Sequence, residues 1–176
     1  LLKRQLTISI LLLFFCCACT RPNKESNLPT TAATPASGHP RNSVDVVKAI
    51  ASPAELRLNG SADAVVRVTV QNGYHINANP STFSYLIATE LTMNPAAGIS
   101  VSFIVYPDAI TKSFSFADKP LAVYQGTTDI KVRLKADKSS PVGTQNLSAK
   151  LRVQACDDQV CYAPGTLDVT IPVSIK

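Results

Sequence analysis

Histidine is scarce in this chain, and so are the other groups from which most active sites are built. Only His39 and His75 occur in 176 residues. A cysteine-protease arrangement needs an imidazole beside its nucleophile, and beyond His75 no residue points to that chemistry. A metal centre is almost as thin. Cys156, Cys161 and His75 are donors that suit Zn(II) or Cu(I), but Asp157 and Asp158 leave no evident spacing for a fourth ligand. The plain alternative for His75, flanked by Tyr74 and Ile76, is a strand residue hydrogen-bonded in place. No glycine-rich phosphate loop is present, and no bound cofactor or metal is expected. The net charge is only +5, from 17 basic and 12 acidic residues. The basic residues form no block and no aromatic platform is interleaved with them, so nucleic acid is not an expected partner. No apolar run has the length of a membrane-spanning helix, and no repeat or second domain is visible.

What is present begins with a leader. Lys3 and Arg4 precede an apolar run from Leu6 to Ala18, which has the length of a signal-peptide core. The run ends in Cys16-Cys17-Ala18-Cys19 and turns polar at Thr20-Arg21-Pro22-Asn23. This resembles a bacterial lipoprotein cleavage site, which implies that residues 1–18 are removed and that Cys19, following the small Ala18, is lipidated; Cys17 is the alternative. The start on Leu1 rather than Met reads as a non-AUG start or a truncated one. Loss of Lys3 and Arg4 with the leader leaves a charge near +3. The expected location is the bacterial cell envelope, facing the periplasm and held to a membrane by the lipid.

From Thr20 to about Arg41 the composition shifts to Pro, Thr, Ala, Ser and Asn. Such a segment buries too little apolar surface to offset its ordering entropy, so residues 19–43 are expected to form a disordered tether. Its 22 or so residues would reach roughly 70 Å at full stretch and about 25 Å on average.

Residues 44–176 are one domain's worth of chain, and their apolar pattern has period two. It runs through Val66, Val68 and Val70; Ile99, Val101, Phe103 and Val105; Ile130, Val132 and Leu134; Leu147, Ala149, Leu151 and Val153; and Leu167, Val169, Ile171, Val173 and Ile175. These are strands with one face buried. Turn signals at Asn59-Gly60, Asn72-Gly73, Asn94-Pro95, Gln125-Gly126 and Ser140-Pro141-Val142-Gly143 separate them. Seven to nine short strands at that spacing predict an all-β, immunoglobulin-like β-sandwich. A short helical piece around Val44 to Ala51 is a weaker expectation.

Reactive chemistry is concentrated in Cys156-Asp157-Asp158-Gln159-Val160-Cys161-Tyr162. Two cysteines separated by a polar run read as a strand, a tight turn and a return strand, across which the sulfurs can meet. Closing so small a loop would stabilise the fold by roughly 2 kcal/mol, against more than 4 for a loop of about sixty residues. As a staple the bridge is weak. Spacing alone leaves both a structural disulfide and a redox pair open.

A further set of motifs carries a resemblance. Gly73-Tyr74-His75-Ile76-Asn77-Ala78-Asn79-Pro80-Ser81, Thr89-Glu90-Leu91, Val105-Tyr106-Pro107, Val123-Tyr124-Gln125-Gly126 and Gln154-Ala155-Cys156-Asp157-Asp158-Gln159-Val160-Cys161-Tyr162-Ala163-Pro164 follow one another in order. From about residue 50 to the end the chain resembles the amino-terminal periplasmic domain of the thiol:disulfide interchange protein DsbD. The resemblance implies an immunoglobulin-like fold and a redox pair, Cys156 and Cys161. It implies a relay of electrons from a membrane-embedded reductant to periplasmic thioredoxin-fold proteins, which repair disulfides or serve cytochrome c maturation. A loop that shields the disulfide in that family would fall within residues 112–118, with Phe114 or Phe116 as the covering ring. The family's transmembrane and thioredoxin domains are not found in this sequence, so the reductase is expected to be a separate transmembrane protein. Asp157 and Asp158 should raise the thiol pKa values of the pair. The second cysteine, Cys161, next to Tyr162, is the one implied to bond the partner. The expectation is an electron-transfer module rather than a stand-alone small-molecule enzyme. The competing class is an immunoglobulin-like surface lipoprotein whose disulfide is only a staple.

Overall fold

A computed structural model describes residues 40–94 and 96–176. The leader, the lipidation at Cys19 and nearly all of the tether lie outside the described residues. The ordered domain takes hold slightly before residue 44. Asn42 caps a single 3-10 turn, Ser43–Val46, in a capping box with Asp45. Ser43 is buried there, donating through Oγ to the Ala163 carbonyl and accepting from the Ala155 N–H.

Twelve strands follow: β1 (Val47–Ala51), β2 (Ala54–Leu56), β3 (Ser61–Val70), β4 (His75–Asn77), β5 (Glu90–Met93), β6 (Ile99–Val105), β7 (Ile110–Lys112), β8 (Leu121–Tyr124), β9 (Thr127–Ala136), β10 (Gly143–Val153), β11 (Ala155–Cys156) and β12 (Gly165–Ile175). No α-helix occurs among the described residues. The helical expectation over residues 44–51 is therefore corrected. After the 3-10 turn the segment pairs with β3 in unbroken antiparallel register, Val47 opposite Val70 through Ala51 opposite Val66. There are also more strands than the seven to nine expected, because β2, β4, β7 and β11 have two or three residues each, too few for a period of two to show.

The strands form an immunoglobulin-like sandwich. One sheet has the order β1-β3-β9-β6 and the other β2-β12-β10-β5. Their inward residues, among them Val66, Val68, Ile130, Val132, Leu134, Leu147, Leu151, Ile171 and Val173, form one buried aliphatic core. Each apolar side chain taken fully out of water stabilises such a core by roughly 1.5–3 kcal/mol. Strand β6 departs from its simple alternation. Val101 lies opposite Leu134 and Phe103 opposite Arg133, so Ser102 is an extra residue in a β-bulge. Beyond the bulge the inward phase passes to Ile104, which packs on the core, while Phe103 and Val105 face solvent. Phe103 is instead overlain by the Arg133 guanidinium, 5.7 Å from the ring centroid.

A third sheet, β11-β4-β8-β7, lies beside the sandwich. Its alternation divides it into two faces. Ile76, Ala155 and Tyr124 join the main core. Leu121 and Val123 point to the other face and, with Phe114, form a second, smaller apolar cluster against which Phe83, Leu86 and Ala117 pack. Strand β11 joins this sheet as an excursion between β10 and β12, which pair along eleven positions from Gly143 opposite Ile175 to Val153 opposite Gly165. The cysteines therefore lie on an insert held at both ends by the longest strand pairing among the described residues.

Candidate functional site

The pair sits where that insert turns back. Cys156 ends β11, Cys161 forms a lone antiparallel bridge with it, and the two are joined by a disulfide with Cα atoms 3.9 Å apart. The hairpin is closed without help from the sulfurs. The Asp157 N–H donates to the Val160 carbonyl at 3.0 Å, and the Tyr162 N–H to the Ala155 carbonyl at 2.8 Å. Asp157 builds the turn through its side chain: Oδ1 accepts from the Gln159 and Val160 N–H groups at 2.7 and 2.8 Å. Its Oδ2 accepts from the Tyr162 hydroxyl, a hydrogen bond that raises the tyrosine pKa to about 12. Aspartate is favoured here because its short carboxylate reaches backbone donors two and three residues on.

The two cysteines differ in access. Cys156 is fully buried, whereas Cys161 is half-buried. Cys161 lines a cleft of about 380 Å³ together with Tyr85, Leu86, Phe116, Ala117, Leu121, Gln154, Gln159 and Val160. The rim that meets water is largely apolar: Tyr85, Phe116 and Val160 are all substantially exposed, with Gln159 as an exposed polar neighbour.

The segment after β7 lies across this face. Phe114 is buried and stacks on His75 with ring centroids 4.0 Å apart. Phe116 stacks on Phe114 at 5.3 Å and borders the cleft beside Cys161. A turn closed by the Ala117 N–H on the Phe114 carbonyl shapes the strap. Asp158 ties the strap down, since its carboxylate pairs with Lys112 at 3.3 Å and its carbonyl accepts from Ser115 Oγ at 3.2 Å. The two phenylalanines thus have different positions: Phe114 belongs to the floor of the second cluster and Phe116 to the edge of the opening. Asp157 and Asp158 are likewise each engaged, one in the turn and one with a lysine, so their repulsion of a thiolate is partly offset.

Sequence reasoning missed several residues of the site. Gln154 sits behind the pair, its Oε1 accepting from Asn77 Nδ2 at 3.1 Å and from the Ile87 N–H at 3.0 Å. It links β4 and the segment that brings Tyr85 and Leu86 to the cleft. The only signal for that segment was a pair of aromatics, Phe83 and Tyr85, in a stretch without strand periodicity; their rings stack at 5.2 Å. His75 is a correction of another kind. It is a strand residue, paired in register with Cys156, but it is not hydrogen-bonded in place, since both ring nitrogens are buried without a partner. Burial, and then the charge of Lys112, lower its pKa to about 4 against the opposing influence of Asp158 and Asp157, so the ring is neutral at neutral pH. No cluster of three or more metal-ligating side chains occurs among the described residues.

Fold and site together define a class: an immunoglobulin-like sandwich domain with a solvent-reachable disulfide on a side sheet. Residues 46–172 match the family described as thiol:disulfide interchange protein DsbD, N-terminal, and the chain belongs to that family. Among solved structures, the N-terminal periplasmic domain of ScsB from Proteus mirabilis is similar, with 16% identity and a TM-score of 0.51 over 74% of this chain and 47% of that one. At that identity the likeness is one of fold, and this chain spans about half the length of that structure. The CssB subunit of enterotoxigenic Escherichia coli, at 14% identity, 76% of this chain and 99% of that one, has a TM-score of 0.40, too low to carry an argument. No curated protein sequence matches the chain.

Proposed function

We propose that this protein is a thiol–disulfide exchange module of the periplasm, passing electrons between a transmembrane thiol reductase and thioredoxin-fold partners through Cys156 and Cys161. The observation that carries the reading is the unequal access of the pair, one sulfur-bearing residue buried and the other on an apolar cleft. Exchange proceeds by attack of a thiolate along the disulfide axis, so one sulfur must be approachable and the other must leave. Cys161 is the attacked sulfur and Cys156 the leaving one. The exposed Tyr85, Phe116 and Val160 give a partner an apolar surface to rest on while the bond changes hands. A structural staple explains less. The hairpin is already closed by backbone hydrogen bonds and by Asp157, and a loop of this length adds only about 2 kcal/mol.

In this reading the strap is a shield, with Phe116 over the approach to Cys161 and Phe114 anchoring it. The chemistry is that of the two sulfurs, with no cofactor required. Residues 1–18 serve as a leader, Cys19 carries a lipid, and residues 19–43 tether the domain to the membrane. Loss of fatty-acid labelling in Cys19→Ser checks the anchor; continued labelling would move it to Cys17 or discard it.

The roles of the cysteines are tested by trapping. Cys156→Ser leaves Cys161 free and should accumulate a reducible adduct with a thioredoxin-fold protein in a bacterial periplasm, seen on non-reducing gels. Cys161→Ser should trap little. Equal trapping by both would overturn the assignment, and no adduct from either would favour the structural disulfide.

A further inference from the structure

Among the described residues, the buried side-chain polar atoms without a hydrogen-bond partner are Nδ1 and Nε2 of His75 and Oδ1 of Asn77, all on β4. His75 is the costlier case, because both ends of its ring are unsatisfied and burial of an unpaired polar group is destabilising. Its packing does not call for an imidazole. The ring stacks on Phe114 at 4.0 Å with planes 20° apart, a contact that a phenyl ring would make as well. Something other than the oxidised resting state must account for the nitrogens.

The neighbour in register supplies it. His75 and Cys156 are direct partners in the antiparallel β4–β11 pair, so their side chains leave the same face of the sheet side by side. Neither has any exposed surface. In the disulfide, Cys156 Sγ has no proton to offer and no charge to be met. On reduction it acquires both possibilities in a place that water does not reach.

We propose that His75 is a positioning residue for exchange, its imidazole supplying the hydrogen bond that the Cys156 sulfur needs once the disulfide is open. This rests on the exchange reading given above. A partner thiolate attacks Cys161 Sγ, a sulfur–sulfur bond to the partner forms, the Cys156–Cys161 bond breaks, and its electron pair leaves on Cys156 Sγ. A neutral imidazole carries one N–H donor and one acceptor nitrogen. The N–H meets the leaving thiolate. When the partner's second thiolate releases Cys161 as a thiolate and, as the strap lifts, a proton from solvent is passed to Cys156, the new S–H donates to the acceptor nitrogen. The charges that act on the ring are Lys112 from β7 and Asp157 and Asp158 from the turn; they oppose one another, and with burial they leave the ring neutral. The imidazole therefore acts by hydrogen bonding and not by a fixed positive charge.

The test is a redox equilibrium of the full mature chain with dithiothreitol, which needs no protein partner and so separates failure of this proposal from failure of the exchange reading. His75→Phe keeps the stack on Phe114 and removes the hydrogen bond. It should shift the equilibrium about tenfold toward the disulfide, a potential about 30 mV more negative, while the oxidised protein loses no stability. His75→Gln restores a donor and an acceptor without the stack and should return the equilibrium to within about threefold of the parent, on a less stable protein. An equilibrium for His75→Phe within about twofold of the parent would overturn the proposal, since an ordinary hydrogen bond is worth more than that. Should the variant not fold, the parent protein decides: the ring nitrogen resonances of His75 should move on reduction, and unchanged resonances would overturn the proposal equally.

Discussion

The two apolar clusters of this domain are built on opposite principles. The main core is almost wholly aliphatic, continuous across the two large sheets and the near face of the third, and free of unpartnered polar side-chain atoms among the described residues. The second cluster, on the far face of the third sheet, is small and partly aromatic, with a histidine and a disulfide at its edge and every orphaned polar atom of the described residues on its central strand β4. The first spends nothing on chemistry and supplies stability. On the proposed exchange reading, the second tolerates unpartnered polar atoms beside a sulfur that is to be covered, approached and released. Stability and reactivity are thus assigned to different sides of one thin sheet.

That division is broken most forcefully from the core side. Leu151→Ala, at a fully buried position of β10, should cost roughly 3 kcal/mol or more of unfolding free energy by chemical denaturation. The rate at which a small thiol reduces the disulfide should stay the same under conditions where the variant is folded. A parallel change in rate would show that the two clusters are not separate.

Acid should act on the other side. Between pH 6.5 and about 4 the unfolded chain protonates the imidazole that the folded chain keeps neutral. The unfolded state then binds more protons, so stability falls as the pH drops through this window and levels off below it. The loss is on the order of 3 kcal/mol. His75→Phe should flatten that slope in denaturation curves taken across the window, and an unaltered slope would place the acid sensitivity elsewhere.

Phe116→Ala is the next smaller step. It should quicken reduction by a small thiol roughly five- to tenfold, by opening the approach to Cys161, while global stability changes little because the ring is 39% exposed. Equal rates would remove Phe116 from the shield. Phe114→Ala should instead lower stability along with any change in rate, since that ring is part of the second cluster. The smallest effect belongs to Lys112→Ala. Its ion pair with Asp158 is exposed and should be worth about 0.5 kcal/mol or less, and Ser115 still holds the strap.

The same contrast explains what could be read from the chain alone. The sandwich was legible because its strands are long enough for alternation to repeat, as in Leu147 to Val153 or Val169 to Ile175. The exception, β6, failed from Val101, which is already exposed, and a single extra residue, Ser102, then passes the inward phase to Ile104; no residue type marks a bulge of that kind. The third sheet was harder. Its strands have two to four residues, so its existence was not visible even though the cysteine hairpin at its edge was. Cys156, Cys161 and the turn-forming Asp157 are local in sequence and could be placed together on spacing. His75 and Tyr85 come to the pair through strand pairing and loop packing over dozens of residues, and such proximity leaves no trace in composition; Gln154 is adjacent in sequence, but its partners Asn77 and Ile87 are not. The reading of His75 as hydrogen-bonded rested on what a buried imidazole ordinarily does, and it failed on β4, where His75 and Asn77 have buried polar atoms without a partner.

The strap over the disulfide rests on a cluster that the main core does not share, and that sets how the molecule opens in time. Lifting residues 113–117 breaks the Phe114–His75 stack, the packing of Phe114 in the second cluster and one side-chain hydrogen bond, while β10 and β12 stay zipped along all eleven positions. Fluctuations of this segment are therefore expected to be low, local excursions on the ladder of partial unfolding, well beneath the global transition. Amide protons in the strap should exchange with solvent at rates indifferent to mild denaturant, and those in the middle of β10 and β12 only when the whole domain comes apart. On the proposed exchange reading, such a protein could be opened many times without ever approaching the unfolded state.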